Sequence, residues 1–150
     1  MSKDYNPRMH SAEHILNQTM VRMFNKGRSF SAHIEKKKSK CDYHHFERNL
    51  SPEEVVEIEK KVNEIIAANL PVRESFIPKE EAAVKFNLER LPEEAGDSLR
   101  IISMGDYDDC PCIGHHVEFT SEIGGFKIIS TDFGEGILRI RFKLLETVES

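Results

Sequence analysis

Seven consecutive residues, Cys110-Pro111-Cys112-Ile113-Gly114-His115-His116, put two thiols and two imidazoles side by side in a chain with three cysteines in all. Thiolate and neutral imidazole are the donors that zinc takes in small protein sites. Cys112 and His116 are separated by three residues, and a tight glycine-containing turn folds that spacing into two bonds to one ion. Two donors hold zinc poorly, so the position of a second pair constrains the fold. It lies about a hundred residues upstream, in Met9-His10-Ser11-Ala12-Glu13-His14-Ile15-Leu16. Histidines at i and i+4 sit one turn apart on one helical face. An isolated HxxxH is a weak signal, and adjacent Cys and His also make a redox-sensitive loop; together they form a set of four. Zinc on that set would tie the first helix to a loop near the C-terminal sheet, the long-range closure from which a small domain gains most. Cys110 in place of Cys112 lengthens the spacing to His116, so Cys112 is taken as the ligand.

The 150 residues suffice for one domain with a real core, and 31% charged against 39% hydrophobic residues is a globular balance. No apolar run approaches the roughly 18 residues of a membrane span, and residues 1–7 lack the apolar core of a signal peptide. Few cysteines, two of them beside histidines, suit a reducing compartment, so the expected setting is cytoplasmic. A net charge of −5 argues against a non-specific nucleic-acid coat. Local basic clusters remain: Lys36, Lys37, Lys38 and Lys40 behind Lys26 and Arg28, and Arg139, Arg141 and Lys143 on a strand. Each is either a solvated face or a phosphate contact.

Residues 8–25 read as a helix in which His10, His14, Asn17, Val21 and Phe24 fall within about 40° of one line. Glu13 lies about 60° from His10, near the metal surroundings on the helical wheel. Its alternative role is that of an N-terminal carboxylate favoured by the helix dipole. Residues 30–37 and 40–46 form a hairpin turning near Lys38-Ser39, with His44 and His45 on opposite faces and neither expected as a ligand. Ser51-Pro52-Glu53-Glu54 starts a helix that runs to about Asn69, burying Val55, Ile58, Val62, Ile65 and Ile66. Val72–Ile77 is expected as a strand, 78–84 as a short helix and 85–97 as a loop. Strands at Leu99–Met104, Val117–Thr120, Phe126–Thr131 and Ile137–Leu145 complete an α+β architecture, a mainly antiparallel sheet with two long helices packed on it.

These pieces, in this order, resemble the editing domain of alanyl-tRNA synthetases and their free-standing AlaX-type relatives, related in turn to the editing domain of threonyl-tRNA synthetases. The resemblance covers roughly residues 9–142. It is carried by His10-Ser11-Ala12-Glu13-His14, by Asp42-Tyr43-His44-His45 with the helix from Ser51 and Asn69-Leu70-Pro71-Val72, and by Ile102-Ser103-Met104-Gly105-Asp106-Tyr107 leading into Cys112–His116. Glu122-Ile123-Gly124 and Lys127-Ile128-Ile129 follow. It implies zinc on His10, His14, Cys112 and His116. It also implies hydrolysis, in trans and without ATP, of the ester joining a wrong amino acid to the 3′ end of tRNA, typically Ser or Gly on the alanine tRNA.

This chain departs from that family where its Cys-Gly-Gly-Thr-His reads Cys112-Ile113-Gly114-His115-His116, and where its threonine within HxxxH reads Glu13. An aminoacyl ester is already activated, so hydrolysis needs a positioned water and a stabilised oxyanion. His115 and Glu13 are the candidates for moving protons, and backbone N–H groups around Gly114 for the oxyanion. Ile113 narrows the pocket, Ser29 and Ser31 stand where relatives carry a pocket-lining stretch, and Lys36, Lys37, Lys38 and Arg139 are candidate phosphate contacts. The competing expectation is a zinc-stabilised RNA- or partner-binding module with this fold and no turnover.

Overall fold

A computed structural model describes residues 7–35, 37–78, 80–81, 98–112 and 115–145. The elements run α1 (Pro7–Phe24), β1 (Ser31–His33), β2 (Ser39–Tyr43), α2 (Pro52–Ala67), β3 (Val72–Pro78), β4 (Ser98–Met104), β5 (Asp108–Pro111), β6 (Gly125–Gly134) and β7 (Ile137–Leu145). A 3-10 turn over Thr120–Ile123 precedes β6. All pairings are antiparallel, and the strands form two sheets: β1-β2-β7-β6 and β3-β4-β5. The α+β class is as expected, while the single sheet resolves into two. Of the expected short helix and the loop after it, residues 79 and 82–97 lie outside the described residues.

Alternation builds the first sheet's inner face. Cys41 and Tyr43 on β2, Leu138, Ile140 and Phe142 on β7, and Phe126 and Ile128 on β6 are buried against Met9, Ile15 and Leu16 of α1 and Ile58, Val62 and Ile66 of α2. Helix α2 begins with the expected capping box: the Glu54 amide donates to Ser51 Oγ (3.1 Å) and the Ser51 amide to Glu54 Oε1 (2.8 Å). It ends where Asn69 takes a φ of 56°.

Thr120 then staples the helix end to the C-terminal half, its hydroxyl donating to Ile65 O (2.9 Å) while the Leu70 amide donates to Thr120 Oγ1 (2.8 Å). Two expectations fail here. Val117–Thr120 is no strand; a single bridge pairs Phe119 with Pro71, because Thr120 is drawn into the 3-10 turn by α2. Residues 108–111, expected as loop, pair with β4 as a strand. Gly105 makes the turn between β4 and β5 possible: its φ is 53°, and a Cβ there would lie 3.1 Å from Leu70 Cδ1.

Candidate metal centre

Helix α1 is buried along most of its first three turns, which is why His10 and His14 point at protein rather than water. The distant segment is fixed to it by bonds between α1 side chains and that segment's backbone. The Val117 amide donates to Ser11 Oγ at 3.0 Å, and Arg8 donates to Ile123 O through Nε (3.0 Å) and Nη2 (2.8 Å). Cys112 is held to β4, its amide donating to Arg100 O (3.1 Å) and its carbonyl accepting from Arg100 Nη1 (3.0 Å).

These anchors bring His10, His14, Cys112 and His116 together, with one ligand atom of each inside a 4.8 Å span. Cys112 Sγ stands 3.7 Å from His10 Nε2, and His116 Nε2 stands 3.1 Å from His14 Nε2. A tetrahedral zinc with ordinary bond lengths sets its nitrogens about 3.3 Å apart and nitrogen from sulfur about 3.6 Å apart. The donor chemistry and both separations fit the ion.

The electrostatics of the cluster favour a thiolate at Cys112. Burial pushes the Cys112 thiol up, but hydrogen bonds from His10, His116 and His14 outweigh it and hold the thiol down at about 3. Burial pushes His14 down, yet Asp108, Cys112 and the charge of Glu13 raise it to about 9. Burial lowers His116, and the thiol of Cys112 offsets only part of that. The lowered thiol and the raised imidazole together favour a thiolate beside a charged His14, and a metal bound there would displace that proton.

Glu13 is buried beside the cluster, Oε1 at 3.5 Å from His10 Nε2 and Oε2 accepting from Asn17 Nδ2 at 3.1 Å. Because α1 starts at Pro7, Glu13 lies in the second turn, so the dipole role does not apply to it. Asn17 extends the network: its Oδ1 accepts from Tyr43 Oη (2.8 Å) and from the Ser29 amide (3.1 Å). Ser29 is thus joined to the cluster through Asn17 and Glu13.

Ser31 and Arg139 stand elsewhere. Ser31 pairs with Asp42 and Asp42 with Arg139 in register, on the side of the sheet opposite Cys41 and Ile140, and Arg139 donates to Asp42 at 2.7 and 2.9 Å. Lys37 and Lys38 are exposed between β1 and β2. His115 is exposed next to His116 of the cluster. Lys36, Ile113 and Gly114 lie outside the described residues. His44 and His45 follow the end of β2, His44 stacking on Phe30 at 3.7 Å.

Asp108 went unread in the sequence. It is fully buried, with Oδ2 3.5 Å from His14 Nδ1, and Oδ1 accepts from Gln18 Nε2 and Arg28 Nη1, both at 2.8 Å. Arg28, grouped by sequence with a surface basic cluster, is turned inward onto it. One aspartate among Asp106, Asp108 and Asp109 carries no local signal; only strand pairing with β4 selects it.

Residues 99–141 match the family model described as the threonyl and alanyl tRNA synthetase second additional domain. The chain is similar to alanine–tRNA ligases: 33% identical over 139 residues to that of Methanococcus maripaludis, 36% over 135 to that of Coxiella burnetii, and 37% over 134 to that of Caldicellulosiruptor saccharolyticus. These alignments take in 90%, 89% and 87% of this chain, which spans only 16%, 16% and 15% of the three ligases. The family match falls on β4 through β7 with the Cys112 and His116 donors inside it, and over those residues the chain is similar to the threonyl- and alanyl-tRNA synthetase second additional domain.

Proposed function

We propose that this chain is a zinc-dependent aminoacyl-tRNA deacylase acting in trans in the cytoplasm, removing serine or glycine from the alanine tRNA. The observation that carries this reading is the convergence of His10, His14, Cys112 and His116 in a chain related to alanine–tRNA ligases. Bound zinc supplies a Lewis acid able to hold an amino or hydroxyl group of the aminoacyl ester. The protein's own groups do the rest. Glu13, held by Asn17, faces the bound aminoacyl group and orients water or ammonium there. His115 takes the proton of the attacking water and returns it to the departing 3′ oxygen, so free amino acid and intact tRNA leave. Backbone N–H groups near Gly114 stabilise the oxyanion, Ile113 narrows the pocket, and Ser29, joined to the cluster through Asn17, lies behind it, whereas Ser31 on the far side of the sheet takes no part. Lys36, Lys37, Lys38 and Arg139 contact phosphates of the acceptor end.

A four-donor shell also suits a purely structural zinc, since catalytic sites usually keep an open position. That favours, as a second reading, an RNA- or partner-binding module on the same fold. Amino-acid release from Ser-, Gly- and Ala-charged alanine tRNA separates the two. The deacylase spares Ala and releases Ser or Gly, with His115→Ala slowing release by about 100-fold or more while the fold persists. Zinc-loaded, folded protein that releases none of the three sinks the hydrolase on this tRNA and leaves the binding module.

A further inference from the structure

A buried brace stands behind the metal cluster. Asp108 Oδ2 faces His14 Nδ1 at 3.5 Å, while His14 Nε2 lies 3.1 Å from His116 Nε2 on the donor side. One ring nitrogen thus faces the cluster and the other faces a carboxylate. Asp108 is clamped in turn. Arg28 donates through Nη1 to Oδ1 (2.8 Å) and Nη2 to Oδ2 (3.3 Å), and Gln18, one helical turn beyond His14, donates to Oδ1 (2.8 Å).

We propose that Asp108 is a positioning residue for the metal centre: clamped by Arg28 and Gln18, its carboxylate holds the His14 ring with Nδ1–H toward Asp108 and Nε2 toward the metal. This rests on the metal reading of the four-donor cluster. A metal-ligating histidine is characteristically steered by a carboxylate on its other nitrogen, and losing that partner costs affinity. A purely structural role explains the arrangement poorly. A buried ion pair is weak support for stability, because well-packed apolar side chains serve as well. Nor does packing require the carboxylate to face the one imidazole nitrogen pointing away from the other donors. Arg28, bonded to Asp108, then governs metal affinity from behind.

The test is zinc affinity of the full chain, measured by competition with a chromophoric chelator, with cobalt substitution reporting the thiolate-containing tetrahedral site. In Asp108→Asn the side-chain amide N–H₂ group can face Nδ1 and favour the tautomer with hydrogen on Nε2, the wrong one for ligation. Expected is a zinc Kd about 10–100-fold weaker, with a weakened cobalt spectrum and an unchanged metal-free circular dichroism spectrum. Arg28→Lys keeps the cation but loses the two-pronged clamp, and should weaken zinc several-fold; it decides the matter if Asp108→Asn does not fold. Wild-type zinc affinity in a folded Asp108→Asn protein overturns the brace, as does a lowered metal-free melting temperature with zinc and cobalt binding unaltered. Failure of the wild-type chain to bind zinc removes the metal reading itself, whereas failure to release any amino acid leaves the brace standing.

Discussion

Glu54 shows how one side chain acts twice. Its carboxylate accepts the Ser51 amide and is gripped by Arg48 Nη1 and Nη2 at 2.8 and 2.9 Å, which together hold it down at about 2. Because its folded value is depressed, its contribution is complete above the ordinary value of 4.5 and is lost as pH falls from there through about 2. Arg48 is exposed and the pair is screened, so the effect is about 1 kcal/mol, chiefly from the cap. Urea unfolding of Glu54→Ala at pH 7 should show that loss, with the gap from wild type closing near pH 2; an equal gap at both pH values refutes the linkage. Cys112 and His14 are the opposite kind of residue. Their burial is costly, and hydrogen bonds within the cluster, Asp108 and the charge of Glu13 offset it.

At the scale of elements, α2 was legible because its start is chemical: a Ser, a Pro and a Glu at fixed offsets, followed by apolar residues at helical spacing. Ile58 and Val62 of that stripe are wholly buried, and Ile58→Ala should cost about 2–5 kcal/mol in chemical unfolding, against well under 1 for Glu57→Ala, whose side chain is only partly buried. Equal effects at the two positions would place the stripe wrongly. Strand β5 was not legible, since Asp108-Asp109-Cys110-Pro111 shows no alternation of apolar and polar residues and includes a proline. Its strand character comes from β4, whose Ile101 to Met104 offer it a ladder. Val117–Thr120 erred the other way: β-branched and aromatic residues read as strand, but Thr120 spends its hydroxyl on α2. The division into two sheets depends on pairings between distant strands, which local pattern does not encode. The donor set was legible because residue type and spacing suffice for it, while Asp108 and Asn17 matter only through contacts made after folding.

For the whole molecule, the metal cluster joins segments 102 residues apart, both already held by Ser11, Arg8 and Arg100. Zinc at about a thousand times its Kd should stabilise the chain by roughly 4 kcal/mol. At this size that is about 10 °C in melting temperature between zinc-loaded and chelated protein. His10→Ala should melt at one temperature with or without zinc; a retained zinc-dependent shift would place the ion elsewhere. The same separation bears on how the protein is made. A ribosome adding about 5–20 residues per second places the first histidine pair in the growing chain some 5–20 s before Cys112 and His116 exist. Throughout that interval His10 and His14 are a two-point donor with little hold on any ion. If zinc takes all four donors, its acquisition therefore waits for synthesis to pass residue 116, and the metal meets a chain of two assembled segments rather than a lone nascent helix.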